Sequence, residues 1–305
     1  MKSVLVLINA RAGTLLDSGT EQVRDEIRSA LEGAGEARKA DIRLLQPRQM
    51  PPAIDAAARS DHDTIIVGGG DGSVSLAARV LSGGDKTLGV LPFGTLNLLA
   101  RDLGMPAERD AAIAALASAQ PRRIDLASVN GRPFHSLSGL GFFSQMARAR
   151  EEVRGHPLGR MLGVGLAAIR ALRRTGTFAL EISADERAEN VEALALLVTN
   201  NRFGPDWRRG RLDSGLLEVH VAQTQGPLGM IKTSADLLTG AWRDNPEIKS
   251  FSARTVTIGH VRRRAWAATD GELAREQIPL RYAMRPGALN VLAVAAGDAV
   301  TPSSG

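Results

Sequence analysis

Apolar positions change their rhythm once along this chain. In roughly the first 120 residues, short continuous apolar runs alternate with longer amphipathic stretches. Ser3–Ile8, Asp41–Leu45, Thr64–Val67 and Thr87–Leu91 read as strands. Gly19–Leu31, Pro52–Ala58, Ser73–Leu81, Leu96–Leu103 and Arg109–Ala117 carry the wider spacing of helices. Proline at the start of Pro52–Ala58 suits a first helical turn. Strands alternating with helices predict an α/β domain whose parallel sheet is covered on both faces. Ligands of such sheets sit beyond the carboxyl ends of the strands. Ser3–Ile8 is too short for a signal-peptide core.

After about Leu126 short runs follow one another: Ala127–Val129, Phe134–Leu140, Phe178–Ser183, Glu192–Thr199, Leu216–Ala222, Thr255–His260 and Arg263–Ala268. Glycine, asparagine and aspartate separate them, which predicts an antiparallel sandwich or barrel. A basic helical segment and a helix at Leu228–Leu238 interrupt it, and Ala288–Ala293 closes as a strand. The predicted division is residues 1–126 and 127–285.

Two turns in the first part carry the chemistry. One strand runs into Gly68-Gly69-Gly70-Asp71-Gly72-Ser73; the next ends in Leu91-Pro92-Phe93-Gly94-Thr95-Leu96-Asn97. Glycine lets backbone N–H groups approach a bulky anion, and the following helix adds its positive N-terminus. Two such turns after successive strands describe a phosphate cradle. The plainer alternative is that the glycines serve a tight turn and Asp71 caps the next helix.

Composition narrows the classes. Apolar residues make up 44% and charged residues 23%, as in ordinary globular proteins. There is no cysteine, so disulfides and thiolate metal sites are excluded. No uncharged apolar stretch reaches membrane-spanning length; Met161–Leu172 is interrupted by Arg170. The net charge of +5 is concentrated: seven arginines and two glutamates lie between Gln145 and Phe178. Such a patch suits phosphates, anionic lipid headgroups or nucleic acid. Aromatic content of 4% and the lack of a nucleic-acid motif argue against the last. The five histidines show no metal-ligand spacing.

Taken in order, these residues resemble the bacterial diacylglycerol kinase family of lipid kinases, related to sphingosine kinases. Asn9–Gly13 is similar to the family's nucleotide loop, with Ala10 in place of proline. Gly69–Ser73 matches Gly-Gly-Asp-Gly-Thr, with serine for threonine. Leu91–Asn97 matches Leu-Pro-x-Gly-Thr-x-Asn, and Asp270-Gly271-Glu272 matches a late Asp-Gly-Glu motif. Ile124-Asp125-Leu126 resembles the strand leaving the first domain, and Pro286-Gly287-Ala288-Leu289 the strand returning to it.

The resemblance implies an NAD kinase/diacylglycerol kinase-like α/β domain, with residues 286–300 returning to it, and a mainly antiparallel β-sandwich for acceptor binding. It implies ATP and Mg2+, with phosphoryl transfer to a lipid hydroxyl such as that of diacylglycerol. Asn9, Gly13, Gly68, Gly69, Gly70, Gly72, Ser73, Thr95 and Asn97 are then the nucleotide contacts. Asp71 would hold magnesium, because a bare carboxylate repels phosphate. Glu272 is the candidate general base, and Asp270 would orient it or help bind metal. Asp-Gly also favours a hairpin turn, and a turn can present a catalytic side chain.

The lipid is expected near Phe134, Leu137, Leu140, Phe142, Phe143 and Met161–Leu172. The Arg148–Arg174 segment would meet an anionic membrane, with Trp207 beside Arg208 and Arg209 as a further interfacial candidate. The expected setting is cytoplasmic and peripheral to a membrane; a homodimer stays open.

Two further positions depart from the family pattern. Asp213-Ser214-Gly215 stands where Asp-Asp-Gly contributes to a structural magnesium site, and Gln46 where a nucleotide-contacting threonine is frequent. The other readings are a kinase with a soluble acceptor, resembling NAD kinases, and a non-catalytic nucleotide- or lipid-binding protein.

Overall fold

The computed structural model describes residues 3–13, 20–32, 39–152, 176–185, 187–204, 207–223, 226–239, 241–260 and 263–294. The chain divides into two compact units: Met1–Leu126 with Pro286–Gly305, and Ala127–Arg285.

The first unit runs β1 (Ser3–Asn9), α1 (Thr20–Glu32), β2 (Lys39–Leu45), α2 (Met50–Ala58), β3 (Thr64–Gly69), α3 (Asp71–Leu81), β4 (Thr87–Pro92), α4 (Leu98–Asp102) and α5 (Arg109–Ala115). Its strands lie side by side in the order β2-β1-β3-β4, all parallel. Parallel strands covered on both faces need continuous apolar sequence. Val4 to Ile8 and Ile65 to Val67 are accordingly buried along their whole length. In α1, Val23, Ile27 and Leu31 recur every fourth residue and are fully buried. Asn290 and Val291, near the end of the last strand, add to β4 in parallel.

The second unit follows β5 (Gln120–Val129), whose last residues lie in it. It comprises β6 (Arg132–Phe134), β7 (Leu137–Gly141), α6 (Phe142–Glu152), β8 (Phe178–Ala184), β9 (Arg187–Ala193), β10 (Ala195–Asn200), β11 (Leu217–Ala222), α7 (Gly226–Thr239), β12 (Ile248–Ala253), β13 (Thr255–His260), β14 (Arg264–Thr269) and β15 (Glu272–Gln277), with the first part of β16 (Leu280–Ala293). One antiparallel sheet has the order β12-β11-β10-β7-β14-β15. In a second antiparallel set, β8 pairs with β9, and β13 lies between β8 and the Leu280–Ala283 stretch of β16.

β10 and β11 are buried on both faces. Leu196, Val198, Leu217, Val219 and Val221 point into a core shared with β8, β13 and Tyr282. Ala195 and Ala222 point the other way, into a cluster with Phe142, Phe203 and Trp242.

Two expected runs divide, and a strand forms where none is predicted. Phe134–Leu140 is two strands, broken at His135-Ser136. Glu192–Thr199 is also two strands: at Leu194 the chain leaves β9 for the other sheet, where Leu194 donates to the Ala222 carbonyl at 2.8 Å. β12 carries no clear alternation, with partly or fully exposed Lys249–Ser252 between buried ends, and pairing with β11 decides it. Among the described residues no helix is long and apolar enough to cross a membrane.

Candidate functional site

Because β1, β3 and β4 are parallel and in register, their carboxyl ends share one edge. Asn9, Gly69 and Pro92 close the three strands there, with Gly69 opposite Pro92. The loop after β1 is wound around Asn9: its Oδ1 accepts the Arg11 amide at 3.0 Å and its carbonyl accepts that of Ala12 at 2.9 Å. Ala10 donates to Leu45 at 2.9 Å, and Gly13 is exposed. A Cβ on Gly69 would lie 3.7 Å from that of Asn9, so this loop abuts the glycine turn. Gln46 instead belongs to the turn before α2; its amide donates to Gln49 Oε1 at 2.8 Å.

The two glycine turns are built against each other. A Cβ on Gly94 would sit 2.5 Å from Gly70 Cα, a separation that backbone cannot concede cheaply. Gly68 is similarly constrained, because a Cβ there would meet the Phe93 ring at 2.8 Å. Gly72, in the first turn of α3, differs: a Cβ there would meet nothing within 4 Å, and its backbone needs no left-handed angle. Sterics therefore explain Gly68 and Gly94 but not Gly72. Open backbone at a helix N-terminus is the environment an anion uses. Ser73 is half-buried beside it, and Thr95 is exposed on the neighbouring turn.

Asp71 links these turns. Its Oδ2 accepts the Asn97 amide at 3.1 Å and its Oδ1 that of Leu98 at 2.8 Å. Asn97 stands in the left-handed region, with φ of 48°, and its side chain is spent on the turn itself. It accepts the Gly94 amide at 2.9 Å and donates to the Gly94 and Pro92 carbonyls at 3.0 and 3.3 Å. Asn97 thus braces the turn, where a direct nucleotide contact had been expected of it. Each Asp71 oxygen keeps a second acceptor position, and the carboxylate is half-buried. It fits a hard cation with oxygen ligands.

Asp270 and Glu272 occupy the hairpin between β14 and β15. Asp270 has φ of 49° and Gly271 of 83°, the pair of left-handed residues such a turn requires. Asp270 is turned inward. Its Oδ1 accepts the amides of Ser136 and Leu137 at 2.9 and 3.3 Å, and its Oδ2 accepts that of His135 at 3.0 Å. The His135 Nε2 lies 3.7 Å from Oδ2. These donors produce the break between β6 and β7. A buried carboxylate so employed does not fit a metal ligand, so the metal role expected of Asp270 gives way to a structural one. Glu272 is exposed and paired in register with Thr269.

The expected lipid-facing residues are dispersed. Phe134 and Leu140 are buried in the core of the second unit, and Phe142 lies in the separate cluster around Trp242. Alternation along β7 and the turn into α6 send them to different faces. Of the Arg148–Arg174 segment, Arg148 is exposed on α6; residues 153–175, Met161–Leu172 included, lie outside the described residues. Trp207 packs against Phe203 and Trp242, with ring centroids 6.1 and 5.8 Å away. Trp266 is the tryptophan that is open, at 43% exposure.

At the Asp-Ser-Gly position, the Ser214 hydroxyl and amide both donate to Asn201 Oδ1, the amide at 3.1 Å, while Asp213 pairs with Arg211 at 3.2 Å. Among the described residues no group of three or more His, Asp or Glu is placed to hold a metal ion.

Sequence reasoning passed over a buried polar cluster in the second unit. Glu218 pairs with Arg243 at 2.8 Å and approaches His220 Nε2 at 3.4 Å, while His220 Nδ1 lies 2.8 Å from Ser250 Oγ. Burial pushes the Glu218 carboxyl up, but hydrogen bonds and charge from His220 and Arg243 outweigh it and bring it to about 2. Burial holds His220 below its usual value. The signal was Glu-Val-His in a strand otherwise apolar, with both polar side chains on one face.

Comparison with known proteins gives a consistent result. Residues 3–129 match the diacylglycerol kinase catalytic domain, and residues 142–293 match the YegS C-terminal NAD kinase beta sandwich-like domain. A Pseudomonas fluorescens protein named "Probable lipid kinase YegS-like" is 30% identical, covering 93% of this chain and 96% of its own. A Mycobacterium tuberculosis protein named diacylglycerol kinase is 29% identical, covering 78% of this chain and 79% of its own. The crystal structure of a Bacillus anthracis diacylglycerol kinase superposes with a TM-score of 0.71 at 19% identity. It covers 96% of this chain and 98% of that one, a likeness of fold.

Proposed function

The chain belongs to the diacylglycerol kinase family of YegS-like lipid kinases, and from that premise we propose that it moves the γ-phosphate of ATP to the hydroxyl of a diacylglycerol-like lipid. Phosphoryl transfer asks for positioning and charge neutralisation more than covalent chemistry. In this reading the backbone of Gly68–Gly72 receives the phosphates at the start of α3. Ser73 and Thr95 add hydroxyl donors, and Asn9 and Gly13 border the nucleotide. Asn97 acts one step back by holding the Gly94 turn in place.

Asp71 has two tasks. Its bonds to Asn97 and Leu98 lock the second turn, and its remaining acceptor positions would hold magnesium. A divalent cation bound there supplies charge neutralisation for the phosphate oxygens. Glu272 takes the proton from the acceptor hydroxyl as the new P–O bond forms. Asp270 anchors the turn on which Glu272 stands. The protein works at the cytoplasmic face of an anionic membrane, held there partly by the basic residues from Arg148 onward.

The observation that supports this reading best is the contrast between Gly94 and Gly72. The first glycine is required by backbone contact between the two turns, and the second is left open at a helix N-terminus. The test offers radiolabelled ATP with a mixed lipid extract, and separately with NAD and sugar phosphates, and identifies products by mass spectrometry. Phosphorylated lipid is expected. Label in NAD alone would move the acceptor to a soluble molecule; ATP binding without any product would leave a non-catalytic binding protein.

A further inference from the structure

The β14–β15 hairpin has two chemically different faces. Cross-strand partners share a face. The pairs Ala265–Glu276, Ala267–Ala274 and Thr269–Glu272 place both carboxylates of β15 on one side. The pairs Arg264–Gln277, Trp266–Arg275 and Ala268–Leu273 place two guanidiniums and an indole on the other, with no carboxylate among them. β15 is the edge strand of its sheet, so this second face continues to the sheet's border. α6 packs against both strands of the hairpin at the end of this face where Ala268 lies. Gly139 pairs with Ala268, and a Cβ on Gly139 would lie 2.5 Å from Phe143 Cβ on that helix. Farther out, Trp266 is 43% exposed, directly opposite exposed Arg275 and two residues from exposed Arg264. Among the described residues neither arginine makes an ion pair.

We propose that this face is a membrane-docking surface, in which Trp266 enters the headgroup–acyl boundary while Arg264 and Arg275 contact anionic lipid phosphates. An indole is amphipathic and settles at such a boundary. Long cationic side chains beside it keep their charges in the headgroup layer, and each cation near an anionic surface adds attraction. The absence of carboxylates from these three cross-strand pairs is the complementarity an anionic surface needs. The alternation that turns Arg275 toward lipid turns Glu272 to the opposite face, so the hairpin separates the docking groups from the proposed base. The inference rests on the lipid-kinase reading for its biological sense but not for its test.

The full chain is titrated with phosphatidylcholine vesicles that contain or lack phosphatidylglycerol, because basic residues are drawn to an anionic lipid surface, and binding is read by co-sedimentation. ATP binding is measured in parallel. Arg264→Gln with Arg275→Gln should weaken partitioning onto anionic vesicles about 25-fold, about fivefold for each surface cation. Trp266→Ala should weaken it about tenfold. Brominated acyl chains should quench part of the wild-type tryptophan emission, and that part should vanish in Trp266→Phe, a variant that keeps an aromatic ring and the fold. ATP affinity should not change in any of them. Wild-type partitioning in all three variants overturns the proposal, as does a change of oligomeric state in place of a change in vesicle binding. A protein that docks as described but neither binds ATP nor phosphorylates lipid leaves this surface standing and overturns the kinase reading instead.

Discussion

Asp71 holds Asn97: across 26 residues of sequence, its Oδ2 accepts the Asn97 amide at 3.1 Å, and the Asn97 side chain in turn accepts the Gly94 amide at 2.9 Å. The carboxylate of one glycine turn thereby sets the backbone of the other. Removing the brace tests this chain of contacts. Asn97→Ala deletes three hydrogen bonds to half-buried backbone and places a side chain less tolerant of a left-handed angle there. Stability should fall by about 1–3 kcal/mol, and ATP affinity should fall with it, while turnover at saturating ATP persists. Thermal melts and isothermal titration separate these effects; a collapse of turnover with ATP affinity intact would contradict a bracing role.

Gly94 and Gly72 should answer the same substitution in opposite ways. Gly94→Ala forces a methyl against Gly70 Cα and Asn97 Oδ1, which should cost about 1–3 kcal/mol and deform the phosphate rim. Gly72→Ala meets open space, and alanine is the better helix former by up to about 1 kcal/mol. That variant should melt no lower than wild type yet bind ATP more weakly, because the methyl would occupy room the phosphates need. Unchanged ATP binding in Gly72→Ala would remove the phosphate from that turn.

The first unit was legible because its information is local. Val4–Ile8 and Thr64–Val67 are continuous apolar runs, which only doubly covered parallel strands tolerate. Val23, Ile27 and Leu31 display the helix period directly. The second unit resisted where distant residues decide. The break at His135-Ser136 exists because a carboxylate 134 residues later takes those amides. Nothing in Ile248–Ala253 announces a strand before β11 is beside it. In the site, glycine spacing named the turns, but the task of Asn97 could not be read. An amide that contacts nucleotide and an amide that pins its own turn look identical in sequence. Trp207 and Trp266 are the same lesson: both stand near arginines, and only packing against Phe203 and Trp242 separates them.

Asp270 and Glu272 should fail differently. Asp270→Asn replaces one acceptor oxygen by a donor facing the His135, Ser136 and Leu137 amides. It should cost about 2–4 kcal/mol, since charged acceptors of buried amides contribute more than neutral ones. Activity should fall in step with the folded fraction and with the placement of the turn. Glu272→Gln leaves an exposed residue of similar shape and should change melting by no more than about 0.5 kcal/mol. Its turnover should drop at least about 100-fold, with ATP affinity preserved. Full activity in Glu272→Gln would exclude it as the base.

His220 gives the second unit a defined response to acid. It is buried beneath Trp242, whose ring centroid is 4.3 Å away, with Ser250 on one nitrogen and Glu218 near the other. Arg243, and Arg202 at 3.8 Å from Glu218, are the cations around the pair. Burial lowers the His220 pKa from 6.5. The unfolded chain therefore takes up a proton first as pH falls, and stability present above about 6.5 is lost as pH descends toward the folded value. Glu218 acts in a lower window. Its folded value of about 2 lies below the ordinary glutamate value of 4.5, so the stability from its pairing with His220 and Arg243 is intact above about 4.5 and disappears between there and about 2. Thermal melts between pH 8 and 5 should then decline with pH in the wild type and decline less in His220→Gln, which cannot charge. Between pH 4.5 and 3 both proteins should lose stability, the variant less, because Glu218 keeps Arg243 in each but loses the His220 contribution in the variant. Parallel curves above pH 5 would mean that His220 reaches solvent and protons as easily in the folded chain as in the unfolded one.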